Sequence, residues 1–357
     1  MSTTTWDQDN LLAAASPATC PDEEVTRSFR FTTLDGRGSG GWFGRRGELG
    51  EGRLVLDGRV IPLTTIQHVV ARLNRLILTV EDGRHPVTTW AVTVRAEQFK
   101  SGRTVALELK QSIDRAISAR RATMRLEALR RVGRDGAFRS AGCGRCGATI
   151  DLTGFCPTAQ VHCPYCDTVA PPAAARAEAA LHQCDACGYY ARPEVFVSAV
   201  FVVRLVGAFW RSRRQYLCRA CMRREGWATL WQNLPALLGL PLAAARLARA
   251  YLGGPSGLSV CAALDAANRH ARDGQLGRAE RRYQAILERG PYTAEVHFDR
   301  AQARAAAGDW PGCLDAVHAA WADCANFAPA LPVARAALTA LGHPSEARSL
   351  QTGWGQV

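Results

Sequence analysis

The sequence predicts a multidomain α+β protein: a strand-rich N-terminal region, small cysteine-paired β modules and a C-terminal α-helical array. Three observations predict it. Apolar and polar residues alternate around tight-turn dipeptides between residues 26 and 98. Four C-x-x-C pairs fall between 143 and 221. A 34-residue period runs from 260 onward. The 357 residues suffice for two or three domains. A composition 47% hydrophobic and 21% charged suits a folded chain.

Residues 1–25 read as a disordered leader. MSTTTWDQDNLLAAASPATC has no basic start and only a five-residue apolar stretch, a poor secretory signal. A cytoplasmic location is expected, where cysteines stay reduced and pairs of them point to metal rather than disulfides. In 26–132, RLVLDGRVIPL alternates about Asp57–Gly58, and LILTVEDGRHPVTTWAVTVRA about Asp82–Gly83. One long helix is expected from about 104 to 132, with Val105, Leu109, Ile113, Ala116, Ile117, Met124 and Leu129 as its apolar stripe. Strands capped by one C-terminal helix, with the phrase GRLVLDGRVIPLTTI, resemble a pleckstrin-homology-like (PH-like) or GRAM-like domain. That resemblance implies a lipid-headgroup or peptide binder, but no basic phosphoinositide pattern accompanies it. Gly36, Gly38 and Gly41 spell G-x-G-x-x-G, yet lead into a strand rather than a helix, so they read as a loop and not a nucleotide cradle.

The four pairs are Cys143/Cys146, Cys163/Cys166, Cys184/Cys187 and Cys218/Cys221. A C-x-x-C pair chelates one side of a tetrahedral ion and a second pair closes it. Eight ligands therefore make two closed sites, structural rather than catalytic, for two zinc ions. Each pair is expected in a polar turn, and CGRCG and CDACG place Gly just after the second Cys. Sequential pairing gives two zinc ribbons, 134–171 and 182–225, separated by PAAARAEAAL; interleaved pairing is arithmetically allowed but less favoured. Cys156, His162 and His182 read as spectators. Cys20, Cys261, Cys313 and Cys324 stand alone, the last three as core residues of helices.

Between the last two pairs lies VFVSAVFVVRLVGAFW. Its 16 residues include Arg204, too short and too interrupted for a membrane span, and its Val/Phe content reads as a β-hairpin. Arg211, Arg213 and Arg214 are expected near the hairpin's outer end, with interleaved aromatics suited to phosphate and base contacts. GWATLWQNLPALLGLPLAAA, 226–245, is uncharged and flanked by Arg223, Arg224 and Arg246. Pro235, Pro241 and Gly239 argue against a span; packing against the ribbon or the repeats is the favoured reading, and a broken or interfacial membrane segment the alternative. Residues 226–252 read as an apolar helical connector, and GGPSG at 253–257 as a linker.

In 260–357, units 260–293, 294–327 and 328–357 bring Gly274, Gly308 and Gly342 into register, with Ala279, Cys313 and Ala347, and Ala267 with Ala301. ARDGQLGRAERRYQAILERGP, ARAAAGDWPGCLDAVHAAW and LGHPSEARSL resemble tetratricopeptide (TPR) repeats. Glycine suits the turn between paired helices, and small residues let helices approach. Pro291 ends the first unit; Arg335 stands at a small position, the third unit lacks a full second helix, and helices in 240–252 are expected to cap the array. The resemblance implies a protein- or peptide-binding groove, with Asn268, Glu295, Phe298 and Gln302 as candidate groove residues.

Net charge is +12 with an isoelectric point near 9.4, which suits anionic partners. But 42 of the 44 basic residues are Arg, a compositional habit that weakens any argument from Arg clusters. No H-E-x-x-H, G-x-S-x-G or Walker loop occurs, so no enzyme is expected. The reading is a non-enzymatic, zinc-binding adaptor or scaffold acting through protein–protein interaction. The alternatives are a nucleic-acid-associated protein using the ribbons and Arg-rich hairpin, and a peripheral membrane scaffold.

Overall fold

The computed structural model describes residues 27–34, 44–50, 52–72, 74–81, 87–96, 101–170, 181–192, 194–204, 207–234, 240–252, 260–288 and 293–354. The leader, the Asp82–Gly83 turn, Gly36, Gly38 and Gly41, Cys20, Pro291, the GGPSG linker and nearly all of the PAAARAEAAL spacer lie outside them.

Seven strands form one antiparallel sheet: β1 (Arg27–Leu34), β2 (Arg45–Gly50), β3 (Arg53–Leu56), β4 (Arg59–Pro62), β5 (Ile66–Arg72), β6 (Arg75–Val80) and β7 (Thr88–Val94), ordered β4-β3-β2-β1-β7-β6-β5. The expected β3–β4 hairpin closes through Asp57 and Gly58, both at positive φ (52° and 77°), as a two-residue turn between right-twisted strands requires. Helix α1 (Gly102–Arg131) packs Val105, Leu109, Ile113 and Ile117 onto Phe29, Phe31, Leu54, Leu78 and Val92 of the sheet.

The apolar stripe of α1 departs from expectation at one point: Met124 is 49% exposed. Asp114 and Ser118 are buried in the middle of the helix instead. A second neighbour explains them. Ser118 Oγ accepts a hydrogen bond from the Thr149 N–H at 3.0 Å, and Asp114 pairs with Lys110, whose Nζ also donates to the Tyr165 carbonyl at 2.7 Å. One helix thus serves as a wall for both the sheet and the first cysteine module.

The cysteine modules are built of short hairpins: β8 (Ser140–Gly142) with β9 (Thr149–Asp151), β10 (Val161–Cys163) with β11 (Thr168–Ala170), and β12 (His182–Gln183) with β13 (Tyr190–Ala191). The oily run spans two paired strands of a hairpin, as expected. β14 (Glu194–Arg204) pairs residue for residue with β15 (Gly207–Leu217), from Glu194↔Leu217 to Arg204↔Gly207. That register sets Arg211 opposite Val200, Arg213 opposite Ser198 and Arg214 opposite Val197. All three sit at mid-ladder rather than at the outer end.

Two helices follow, α2 (Arg219–Asn233) and α3 (Leu240–Leu252). α2 runs across the expected module boundary at 225. α3 packs back on α2 and β14, so residues 240–252 belong to the second cysteine module rather than capping the array. Gly226 of α2 allows the crossing, since a Cβ there would lie 2.9 Å from the Leu247 side chain. No helix among the described residues is long and apolar enough to cross a membrane.

The rest of the chain is three helical hairpins: α4 (Val260–Arg272) with α5 (Leu276–Leu287), α6 (Thr293–Ala306) with α7 (Trp310–Asp323), and α8 (Ala330–Ala340) with α9 (Pro344–Gly353). The third unit does have its second helix, ten residues long. Gly274, Gly308 and Gly342 all adopt positive φ (72°, 78° and 86°). In each turn the glycine N–H reaches back three residues and the next N–H reaches back five, as in Gly308 to Ala305 O (3.0 Å) and Asp309 to Arg304 O (2.9 Å). This is the Schellman closure of a helix end. The small positions Ala267, Ala279, Ala301 and Cys313 are fully buried, and Ala347 nearly so. Arg335 is accommodated half-buried.

Because Gly308 meets nothing within 4 Å, an added Cβ costs only backbone strain. Gly308→Ala should destabilise the array by about 1 kcal/mol, and Gly308→Asn by less, in denaturant unfolding followed by helicity. Equal stability of all three proteins would contradict the left-handed turn.

Candidate metal centres

Local backbone chemistry shapes each ligand turn. After the second cysteine of three pairs the chain turns left-handed, at Gly147 (φ 73°), Asp167 (φ 55°) and Gly188 (φ 75°). In each, that residue's N–H closes onto the carbonyl of the first cysteine at 2.8 Å. Glycine was the legible signal at two of them; Asp167 does the same work, being one of the few side chains that tolerate this conformation. The fourth pair is not in a polar turn. Cys218 is the N-cap of α2 and Cys221 lies in its first turn. The helix therefore aims its positive end at the sulfurs, which favours thiolate.

The pairs assemble sequentially. Cys143, Cys146, Cys163 and Cys166 form one group; Cys184, Cys187, Cys218 and Cys221 form the other, with all sulfurs of a group within 4.8 Å of one another. Cys143–Cys166 and Cys146–Cys163 are 3.6 Å apart, and Cys187–Cys218 is 3.8 Å apart. A disulfide needs about 2 Å. A tetrahedral ion with metal–sulfur bonds of about 2.3 Å has edges of about 3.8 Å, so both groups fit one ion each. The donor chemistry agrees. Hydrogen bonds from its three neighbours lower the Cys143 thiol, while the Cys163 thiol is raised by the same cluster. Four such thiols shed all their protons only around a cation. Among the described residues these are the two metal-sized groups, and Cys156, His162 and His182 belong to neither.

Charge is balanced differently at the two centres. At the second, Arg272 of α4 sends Nη1 to within 3.3 Å of Cys187 and Cys218 sulfurs and 3.9 Å of Cys221. Arg219, Arg223, Arg269 and Asp265 join it around a cavity of about 110 Å³ between α2 and α4. Burial, and then the Cys218 charge, push Asp265 up to about 6. At the first centre the neighbours are a hydroxyl and a more distant cation: Cys166 Sγ lies 3.3 Å from Thr168 Oγ1, which accepts from Arg145 (3.0 Å).

The four candidate groove residues do come together, but not around an open groove. The second cysteine module occupies the face presented by α4 and α6. The Tyr190 N–H donates to Asp299 Oδ1 at 2.7 Å, and Asn268 Nδ2 donates to the Tyr190 carbonyl at 2.8 Å and to Asp299 Oδ2 at 2.9 Å. Tyr283 Oη completes the clamp by donating to Asn268 Oδ1 at 2.7 Å. Phe298 is buried edge-on against Tyr190, and Gln302 Nε2 donates to the Gly188 carbonyl at 3.3 Å. Glu295 is 1% exposed. The first module docks nearby, where Asn326 Oδ1 accepts from the His162 N–H (2.9 Å) and Asn326 Nδ2 donates to its carbonyl (2.8 Å). Asp299 and Asn326 escaped the sequence reading; the only available signal was a polar residue at an inward position of an apolar pattern.

Asp299 is fully buried, and burial holds its carboxyl well above the ordinary range against the bonds from Tyr190 and Asn268. Asp299→Ala leaves two donors unpaired and should cost about 2–4 kcal/mol, read as a lower unfolding midpoint and faster proteolysis within 181–191. Burial, reinforced by Asp167, pushes the Glu295 carboxyl from the usual 4.5 up to about 8. The unfolded chain therefore ionises Glu295 first. Its stabilising contribution is complete below pH about 4.5 and falls, by up to ~1.4 kcal/mol per pH unit, until pH about 8. Glu295→Gln should flatten that slope in unfolding measured across this window; an unchanged slope would exclude the buried neutral acid.

No protein-family model, curated protein or solved structure matches the chain.

Proposed function

We propose that the chain is a non-enzymatic scaffold organised by two structural zinc ions, combining a PH-like domain, two zinc ribbons and a short TPR array. The observation that carries this reading is the pair of closed four-cysteine groups with tetrahedral sulfur spacing, wedged between the N-terminal module and the array. Four thiolates leave no coordination position for a substrate, and tetrahedral sulfur sites suit zinc, a soft-tolerant ion without redox chemistry. The sheet order with a single C-terminal helix supports the PH-like reading. The 34-residue spacing of three left-handed glycines supports the TPR reading.

The array's side-chain clamp supports a specific version of this function. TPR-type grooves hold extended peptides by polar side chains, and here Asn268 and Asp299 hold the Tyr190 peptide of the chain itself. The groove fixes the ribbons in place, and protein partners are recruited by the composite surface so formed.

Native mass spectrometry should find two zinc ions per chain. Cys146→Ser should lose one ion, and Cys221→Ser the other. The second loss should also loosen α4, because Arg272 then faces no anionic centre. A metal-free chain with the same unfolding midpoint as the metal-replete one would sink the reading.

A further inference from the structure

The helix pair α2–α3 carries a face that no described residue covers. On α2, Met222, Gly226, Thr229 and Asn233 recur every three or four residues and turn one side inward. Trp227, Trp231 and Leu234 recur at the same spacing on the opposite side, 44%, 65% and 47% exposed. α3 adds Tyr251 and Leu252, the last 87% exposed. The two helices share this surface: Trp227 Nε1 donates to Tyr251 Oη at 3.2 Å, and the Arg223 guanidinium lies 4.5 Å from the Tyr251 ring centroid. Single exposed apolar side chains are ordinary, but five on two adjoining helices form a patch.

We propose that this face seats in the headgroup layer of an anionic lipid bilayer and anchors the protein peripherally. Charge and chemistry select that occupant. α2 sets the exposed Arg224 on the same side as Trp227 and Trp231, in a chain of net charge +12, while Arg219 and Arg223 face the second metal centre and Arg249 pairs with Glu194. Anionic lipid attracts such a face. Indole and phenol rings favour the boundary between headgroups and acyl chains, and leucines enter the acyl edge. Neither helix is long enough to cross, so the pair lies on the surface. A nucleic acid would use the Arg and Trp residues but has no use for Leu234 and Leu252. A second copy would bring two chains of net charge +12 together. The proposal is independent of the scaffold reading, since it needs only this helix pair.

The test is cosedimentation of the full chain with vesicles of phosphatidylcholine alone and of phosphatidylcholine mixed with phosphatidylglycerol, at low and high salt. Binding to the anionic vesicles, weakened by salt and accompanied by a blue shift of tryptophan emission, is expected. The double variant Trp231→Ser/Leu252→Ser should bind about tenfold more weakly or worse. Its helicity and zinc content should be unchanged, because both side chains are exposed. Arg224→Gln, at another exposed position, should weaken binding to anionic vesicles alone. Absence of anionic-vesicle binding would overturn the proposal. So would equal binding by the double variant, stronger binding to an oligonucleotide than to vesicles, or a dimer in which Trp231 becomes protected.

Discussion

The arrangement turns on one peptide unit. The N–H and carbonyl of Tyr190 are taken by Asp299 and Asn268, and the ring behind them packs against Phe298 and Phe327 at 5.5 and 5.8 Å. A buried peptide group left unpaired costs more than most single contacts return. This clamp therefore fixes where the second cysteine module sits. Tyr190 Oη then donates to Asp167 at 3.3 Å, and Asp167 holds His162 at 3.0 Å. His162 is in turn gripped through its backbone by Asn326. Both modules and the array meet in this one polar and aromatic knot.

Electrostatics adds a second coupling. A four-thiolate centre around a dication carries two net negative charges, and in a partly buried setting these need compensation. Arg272 supplies it from the array and Lys110 braces a ligand turn of the first centre from α1. Each centre thus draws support from an element outside its own hairpins. Metal occupancy and the relative placement of the helical and β regions stabilise each other.

What the sequence discloses is local. The Asp57–Gly58 turn, the three array glycines and the ligand turns at Gly147 and Gly188 each depend on a few neighbouring residues, and each appears where its dipeptide or spacing places it. Asn268, Glu295 and Phe298, expected to line a groove, are buried. Periodicity cannot say what fills the space in front of them, because the answer comes from residues 78 to 134 positions away, such as Tyr190 to Asn268 and Gln160 to Ala294. The same limit explains Met124. Apolar spacing predicts a stripe, but the far half of α1 follows the first cysteine module, which wants Ser118 rather than a thioether.

The separation between docking partners also has a consequence in time. Asn326 lies 164 residues after His162, and Asp299 lies 109 after Tyr190. At a translation rate of ~5–20 residues per second, the modules emerge from the ribosome about 10–30 s before Asn326 does. Throughout that interval the Tyr190 ring and the edges of both modules have no array to rest on. Small hairpins of two or three residues per strand do not hold a shape unaided. An ion captured by the nascent chain at the two four-cysteine groups would hold these modules until their seat has been synthesised.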